Sequence, residues 1–147
     1  MGSKLKNREV IHDGKKLRSY LEKICYVRLK EEGIPFQYES WKVPLVDKFK
    51  HEGECYERVT YKGKRTYKLK NNNIRAITYK PDFIGDWWII ETKGHETEAF
   101  KIRWKLFKKY LKDNNLKFTL FKPHTKKEIE ETIKIILEHG TEKGSGS

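Results

Sequence analysis

The stretch "PDFIGDWWIIETKG", residues 81–94, sets the carboxylates Asp82 and Glu91 at the ends of an apolar run, with Lys93 two positions after Glu91. Alternate side chains of a strand share a face, so Trp87, Ile89, Glu91 and Lys93 point one way and Trp88, Ile90 and Thr92 the other. If "YKPDFI" runs antiparallel beside "DWWIIETKG" through a turn at Gly85, Asp82 is brought against Glu91. Two carboxylates in one place repel unless something positive lies between them. A hard divalent cation answers that need, because Mg²⁺ takes carboxylate oxygens, a backbone carbonyl such as that of Thr92, and retained waters. Such a cation serves phosphodiester hydrolysis, with Lys93 placed to orient a water or to neutralise charge on the phosphate. The plainer reading is a surface hairpin on which Lys93 makes an ordinary ion pair with Glu91.

The flanking elements must position these groups. "GKKLRSYLEKICYVRLKEEG" carries Leu17, Leu21, Ile24 and Val27 at helical spacing and stops at Gly33, which predicts a first helix. "IPFQYESWKVPLV" reads as a strand followed by a partly exposed extended segment, with Pro44 unsuited to a central strand. Residues 47–73 read as an inserted hairpin turning at "KGKR", with Gly63 as the permissive residue. "IRAITYKPDFI" and "DWWIIETKG" follow as two strands. Phe100, Trp104, Phe107 and Leu111 then mark a helix over 97–113 with one buried stripe. "LKFTLFKP" is a further strand. "TKKEIEETIKIILEHG" is a closing helix capped by Thr125, with Glu128 at capping-box spacing and Ile129, Ile133 and Ile136 inward. Helix, strands, helix, strand, helix predicts an α/β sandwich around a mixed sheet.

A chain of 147 residues fits one domain, 1–147. The tails "MGS" (1–3) and "KGSGS" (143–147) read as vector-derived and stand outside the fold. Lysine and arginine total 33 against 21 acids, a net charge of +12, which selects polyanionic partners, nucleic acid first and an anionic membrane surface second. The longest apolar run falls far short of the roughly 20 residues a spanning helix needs, so no membrane span is expected. There is no secretory h-region, and Cys25 and Cys55 lack metal-ligand spacing; both fit a cytoplasmic protein.

The order of motifs adds a resemblance. "PDF" followed nine positions after its Asp by "ETKG" resembles the PD-(D/E)xK nuclease superfamily. "SYLEKICYVRLKEEGIPFQYESWKVPLV" with "YKPDFIGDWWIIETKG" is more closely similar to the phage endonuclease I family of Holliday-junction resolvases. The likeness covers residues 19–46 and 79–94, somewhat under a third of the chain. It implies a restriction-endonuclease-like core, a mixed β-sheet flanked by helices. It also implies a Mg²⁺-dependent nuclease cutting branched DNA, with Mn²⁺ able to substitute. Asp82 and Glu91 would be metal ligands, Lys93 the catalytic lysine and Glu22 a further acidic group near the metals. A homodimer exchanging its N-terminal segment through the stretch matching "ESWKVPL" is also implied, in the host cytoplasm if the chain is phage-encoded. Where the family has an acidic residue after the phenylalanine, this chain has Gln37. Its amide oxygen, or the carboxylate of Glu39 on what would be the same face, is the available substitute.

The candidate DNA contacts are Lys62, Lys64, Arg65, Lys68 and Lys70 on the hairpin and Lys101, Arg103, Lys105, Lys108, Lys109 and Lys112 on the basic helix, though either set also fits a merely solvated face. Trp87, Trp88 and Trp104 read as core; Trp41 is the more exposed tryptophan. The five histidines are scattered, His95 reads as a loop residue, and Glu96 and Glu98 read as first-turn acids facing the helix dipole. With no Gly-rich phosphate loop and no Ser-His-Asp pattern, kinases and serine hydrolases are excluded. Two rivals to a branched-DNA nuclease stand: a homing or restriction-like enzyme that reads duplex sequence, and a non-catalytic DNA-binding module on a nuclease scaffold.

Overall fold

In the computed structural model, which describes residues 10–12, 15–17 and 19–140, two short strands, β1 (Val10–His12) and β2 (Lys15–Leu17), pair antiparallel ahead of helix α1 (Tyr20–Glu31). The helix begins later than the Leu17 spacing predicts. Ser19 is extended, and its hydroxyl accepts the Glu22 N–H, which fixes the start. The buried stripe is Glu22, Cys25, Tyr26 and Leu29, whereas Leu21, Ile24 and Val27 are half-buried flanks. At the other end Gly33 (φ 66°) turns left-handed. Its N–H reaches the Lys30 carbonyl and that of Ile34 the Leu29 carbonyl, a Schellman ending that tucks Ile34 into the core.

The central sheet is mixed, in the order β12 (Thr119–Phe121), β11 (Trp88–Ile90), β10 (Phe83–Ile84), β3 (Gln37–Tyr38). Its β11–β12 pair is parallel and the other two pairs are antiparallel. Helices α1 and α3 (Lys126–His139) cover one face, where Cys25, Tyr26, Leu29, Ile129, Ile133 and Ile136 pack on Phe83, Trp88 and Ile90. Helix α2 (Glu98–Asp113) covers the other, bringing Phe100, Trp104, Phe107 and Leu111 onto Ile89, Val43 and Tyr79. That stripe matches the predicted one residue for residue. Within β11 the alternation holds, with Ile89 facing α2 and Trp88 and Ile90 facing α1 and α3, but Trp87, expected on the face of Ile89, packs on the α1–α3 side because it precedes the strand. The chain is therefore mixed α/β, with three helices among the described residues.

Between β3 and β10 the chain makes an antiparallel ribbon built in three nested pairs. These are β4 (Val43–Val46) with β9 (Ile77–Tyr79), β5 (Phe49–Lys50) with β8 (Asn73–Ile74), and β6 (Tyr56–Tyr61) with β7 (Lys64–Leu69). The predicted insert thus grows out of core strands. Its tip turns through Lys62 (φ 49°) and Gly63 (φ 79°), the two left-handed residues that a tight hairpin turn with matching twist requires. "IRAITYKPDFI" is two strands rather than one, because the chain leaves β4 at Tyr79 and joins β11 at Phe83. Trp41 packs edge-on to Phe107 and Tyr110, half-buried beside α2. Among the described residues no helix is long and apolar enough to cross a membrane.

Candidate active site

Strands β10 and β11 pair with Phe83 opposite Ile90 and Ile84 opposite Ile89, closed by Gly85 N–H to the Trp88 carbonyl at 2.8 Å. A Cβ on Gly85 would lie 2.1 Å from the Trp88 indole, so only glycine allows this closure. One step further along the same register sets Asp82 opposite Glu91. From the other side, Glu91 N–H donates to the Phe121 carbonyl (2.9 Å) and Lys93 N–H to that of Pro123 (3.0 Å). The parallel ladder therefore continues past the end of β11 and holds Glu91 and Lys93 as alternate residues.

Three carboxylates are almost wholly buried here: Glu22 (3 % exposed), Glu91 (4 %) and Asp82 (5 %). Each is fixed by a neighbour. Thr92 donates both its N–H and its hydroxyl to Asp82 Oδ2, each at 2.9 Å. The Tyr79 hydroxyl donates to Glu91 Oε1, and that of Tyr38 to Glu22 Oε1 at 2.8 Å. Glu39 joins them from the end of β3: its N–H donates to the Asp82 carbonyl (2.9 Å), and its backbone is left-handed (φ 46°). One carboxylate oxygen from each of Glu22, Glu39 and Asp82 lies within 4.8 Å of the others. Lys93 Nζ is 3.5 Å from Glu91 Oε2 and 4.3 Å from the centre of the Phe100 ring, a cation held over an aromatic face.

Burial works against so much negative charge. Desolvation, and then the charges of Glu91 and Glu22, push the Asp82 carboxyl well above the usual carboxylate range, and the two Thr92 donors only partly oppose this. Glu91 is pushed up to about 7 by burial, against the pull of Tyr79 and Lys93. The hydroxyls of Tyr79 and Tyr38 rise as well, first because they are desolvated and then because carboxylates adjoin them. Both therefore stay protonated donors. A set of oxygen donors that repel one another, each already oriented, is what a hard cation relieves.

Glu22, Tyr79, Asp82, Glu91, Thr92 and Lys93 line a cleft of about 560 Å³ with Lys80, His95 and Arg103 also on its walls, whereas Glu39 and Tyr38 are not part of its lining. Gln37 does not line it either. It is exposed, and its Oε1 accepts from Ser40 Oγ at 2.8 Å. The expected shared face of Gln37 and Glu39 fails because the left-handed turn at Glu39 breaks the strand alternation. Thr92 serves the site through its N–H and side chain, a role its place on the opposite strand face does not suggest. Arg103, exposed like Lys101, Lys105 and Lys108 on the same helix, differs from them in lining the cleft, and Lys101 is paired to Glu98. Lys62, Lys64, Arg65 and Lys68 lie on the distal β6–β7 pair. Glu96 is not a first-turn acid; it precedes the cap Thr97 and pairs with Lys122 (2.6 Å) and His124 (3.2 Å).

Tyr79 and Tyr38 were not legible as site residues, since a strand tyrosine reads first as packing. The one available signal is that Tyr79 lies three positions before Asp82, at the start of the segment that delivers it. Comparison with protein-family models, curated proteins and solved structures finds no match to this chain.

Proposed function

We propose that this chain is a metal-dependent endonuclease that hydrolyses DNA phosphodiester bonds, built on a restriction-endonuclease-like core. One observation carries the reading: the buried carboxylates Glu22, Asp82 and Glu91 line a single cleft beside Lys93, with Glu39 clustered against Glu22 and Asp82. The donor set fits Mg²⁺, with Mn²⁺ as substitute, because it is all oxygen and rich in carboxylate, with no thiol or imidazole among the clustered ligand atoms. Asp82 and Glu91 would hold the cation with the Thr92 carbonyl, and Glu22 and Glu39 would complete or extend the site. A cation bound there activates water and offsets negative charge on the phosphate oxygens.

The chain's own groups supply the rest. Tyr79, Tyr38 and Thr92 fix the carboxylates before substrate arrives, so little reorganisation remains for the reaction itself. Lys93, restrained between Glu91 and Phe100, offers an ammonium to the attacking water or to a phosphate oxygen. Arg103 and Lys80, on the cleft wall, add positive charge for the backbone on either side of the cut.

The net charge of +12 and the ordered motifs of residues 19–46 and 79–94 favour DNA as the partner, branched DNA first, and a homodimer as the working form. A second reading, cleavage of duplex DNA at chosen sequences, is favoured by the exposed β6–β7 ribbon, since a two-stranded ribbon fits the major groove. The test is cleavage of a labelled four-way junction beside a matched linear duplex, with Mg²⁺, with Mn²⁺ and with chelator. Metal-dependent nicking confined to the junction supports the first reading. Equal cutting of the duplex supports the second, and DNA binding without cutting under any metal overturns the enzyme.

A further inference from the structure

The β6–β7 pair is a six-residue ribbon whose strands are exposed on both faces, Val59 alone being half-buried. Its register, Tyr56 with Leu69, Arg58 with Tyr67 and Thr60 with Arg65, puts those six residues on one face. Glu57 with Lys68, Val59 with Thr66 and Tyr61 with Lys64 take the other. The stacking of Tyr56 on Tyr67, rings 6.2 Å apart and 29° from parallel, confirms that these two diagonal neighbours share a face.

The two faces differ in kind. The first holds both arginines of the pair, two tyrosines that are 53 % and 74 % exposed, and no acid. The second holds the two strand lysines, a single tyrosine, Tyr61, with no stacking partner ring on that face, and the ribbon's single carboxylate, Glu57, which also pairs with Lys70 at 3.4 Å. Lysines act on phosphate as mobile point charges, whereas a guanidinium fork matches the O6 and N7 edge of guanine in the major groove. Exposed tyrosines on a ribbon with no core of its own stay in water unless a partner covers them.

We propose that the Arg58–Arg65–Tyr67 face of this ribbon is a base-reading surface that lies in the major groove of duplex DNA, with the lysine face turned away from the groove floor. This rests on the reading of DNA as the partner and adds to it: the cleft cuts, and a separate face chooses where. Charge complementarity selects nucleic acid over a second protein, since the ribbon carries five cations against one acid between Tyr56 and Leu69. Six residues at about 3.4 Å each span about two-thirds of a turn of DNA, and two strands fit the groove's width of about 12 Å. Arg58, unlike Arg65, is not suggested by the basic run at the hairpin tip; only the register places the two on one face.

The experiment is selection by gel shift from a pool of duplexes with randomised centres, in chelator so that nothing is cut, followed by dimethyl sulfate probing of guanine N7 in the selected DNA. Wild type should enrich a guanine-containing sequence and protect its N7 positions. Arg58→Ala and Arg65→Ala should each lose about 5- to 150-fold on the selected duplex and release that protection. Lys64→Ala with Lys68→Ala should keep the selected sequence. Unchanged affinity and selectivity in both arginine variants, with metal-dependent cleavage of junction or duplex DNA intact, would overturn the base-reading face while leaving the nuclease standing. Arginine variants that change oligomeric state in sedimentation but not DNA selection would assign the face to a second copy instead. Failure of wild type to bind any DNA would overturn both.

Discussion

The carboxylate cleft and the distal ribbon are two solutions to placing charge in one strongly basic chain. In the cleft, charge is negative, buried and held by the core: Asp82 and Glu91 extend strands that are covered by Cys25, Leu29 and Ile133 on one side and by Trp104 and Phe107 on the other. On the ribbon, charge is positive and exposed, and it is held by little beyond the backbone ladder itself. The first arrangement stores repulsion that a cation can relieve; the second costs the fold almost nothing and leaves its positive charge in solvent. On the proposed reading, the chemistry sits where geometry is most tightly determined, and recognition where the chain is freest to vary.

The sharpest way to break this division is Lys93→Ala. Loss of a group acting on the reacting phosphate should lower cleavage by about 10²- to 10⁴-fold with DNA affinity nearly unchanged. Removing charge at Lys62, Lys64 and Lys68 should do the reverse, weakening binding with little effect on the rate once DNA is saturating. Single-turnover cleavage and equilibrium binding on the same substrate separate the two.

Packing should divide the regions in the same way. Trp104→Ala, which empties a buried site over Tyr79 and Phe107, should destabilise by about 3–5 kcal/mol. Tyr67→Ala, on the ribbon, should stay within about 0.5 kcal/mol. Urea unfolding of both variants measures the contrast.

Stability against pH sharpens the cleft's half of the comparison. Glu91 is raised from 4.5 to about 7 in the folded chain, and Asp82 is raised as well. Between those values the folded state binds more protons than the unfolded one, so metal-free protein should lose stability as pH rises from about 4.5 to 7. The slope is at most about 1.4 kcal/mol per pH unit for each group. Mg²⁺ should flatten that slope. Asp82→Asn keeps an oxygen for the Thr92 donors and removes a buried charge, so it should stabilise the metal-free protein while abolishing cleavage. Urea melts across pH, with chelator and with Mg²⁺, test both. Stability rising over this window would show the carboxylates to be ionised and satisfied without a cation.

The smallest effect belongs to salt. Neutralising the ribbon cations should reduce the slope of log affinity against log salt by about 0.9 for each phosphate they would otherwise neutralise. No change would place the ribbon away from the backbone.

What could be read from residue order alone follows the same physical divide. Helix α2 was legible because Phe100, Trp104, Phe107 and Leu111 stand out against charged neighbours, and α3 because Thr125 and Glu128 mark its start. The ribbon tip was legible from Gly63. Asp82, Glu91 and Lys93 were legible because a strand's two-residue period and a short turn fix their neighbours. The start of α1 was not: Leu17 continues an apolar spacing, and only the Ser19 cap ends it. Nor was the choice of Glu39 over Gln37, which depends on one left-handed residue, or the work of Tyr38 and Tyr79, whose hydroxyls matter only once three strands and α1 have met.

The most direct test of the central claim is nicking of a mixture of labelled four-way junction and matched duplex DNA by wild type and Lys93→Ala, each with Mg²⁺ and with chelator. Nicked product from wild type with Mg²⁺ alone, and none from the other three reactions, is the result predicted for a carboxylate-held cation working beside Lys93. Cleavage that survives chelation, or that is undiminished in Lys93→Ala, would contradict it.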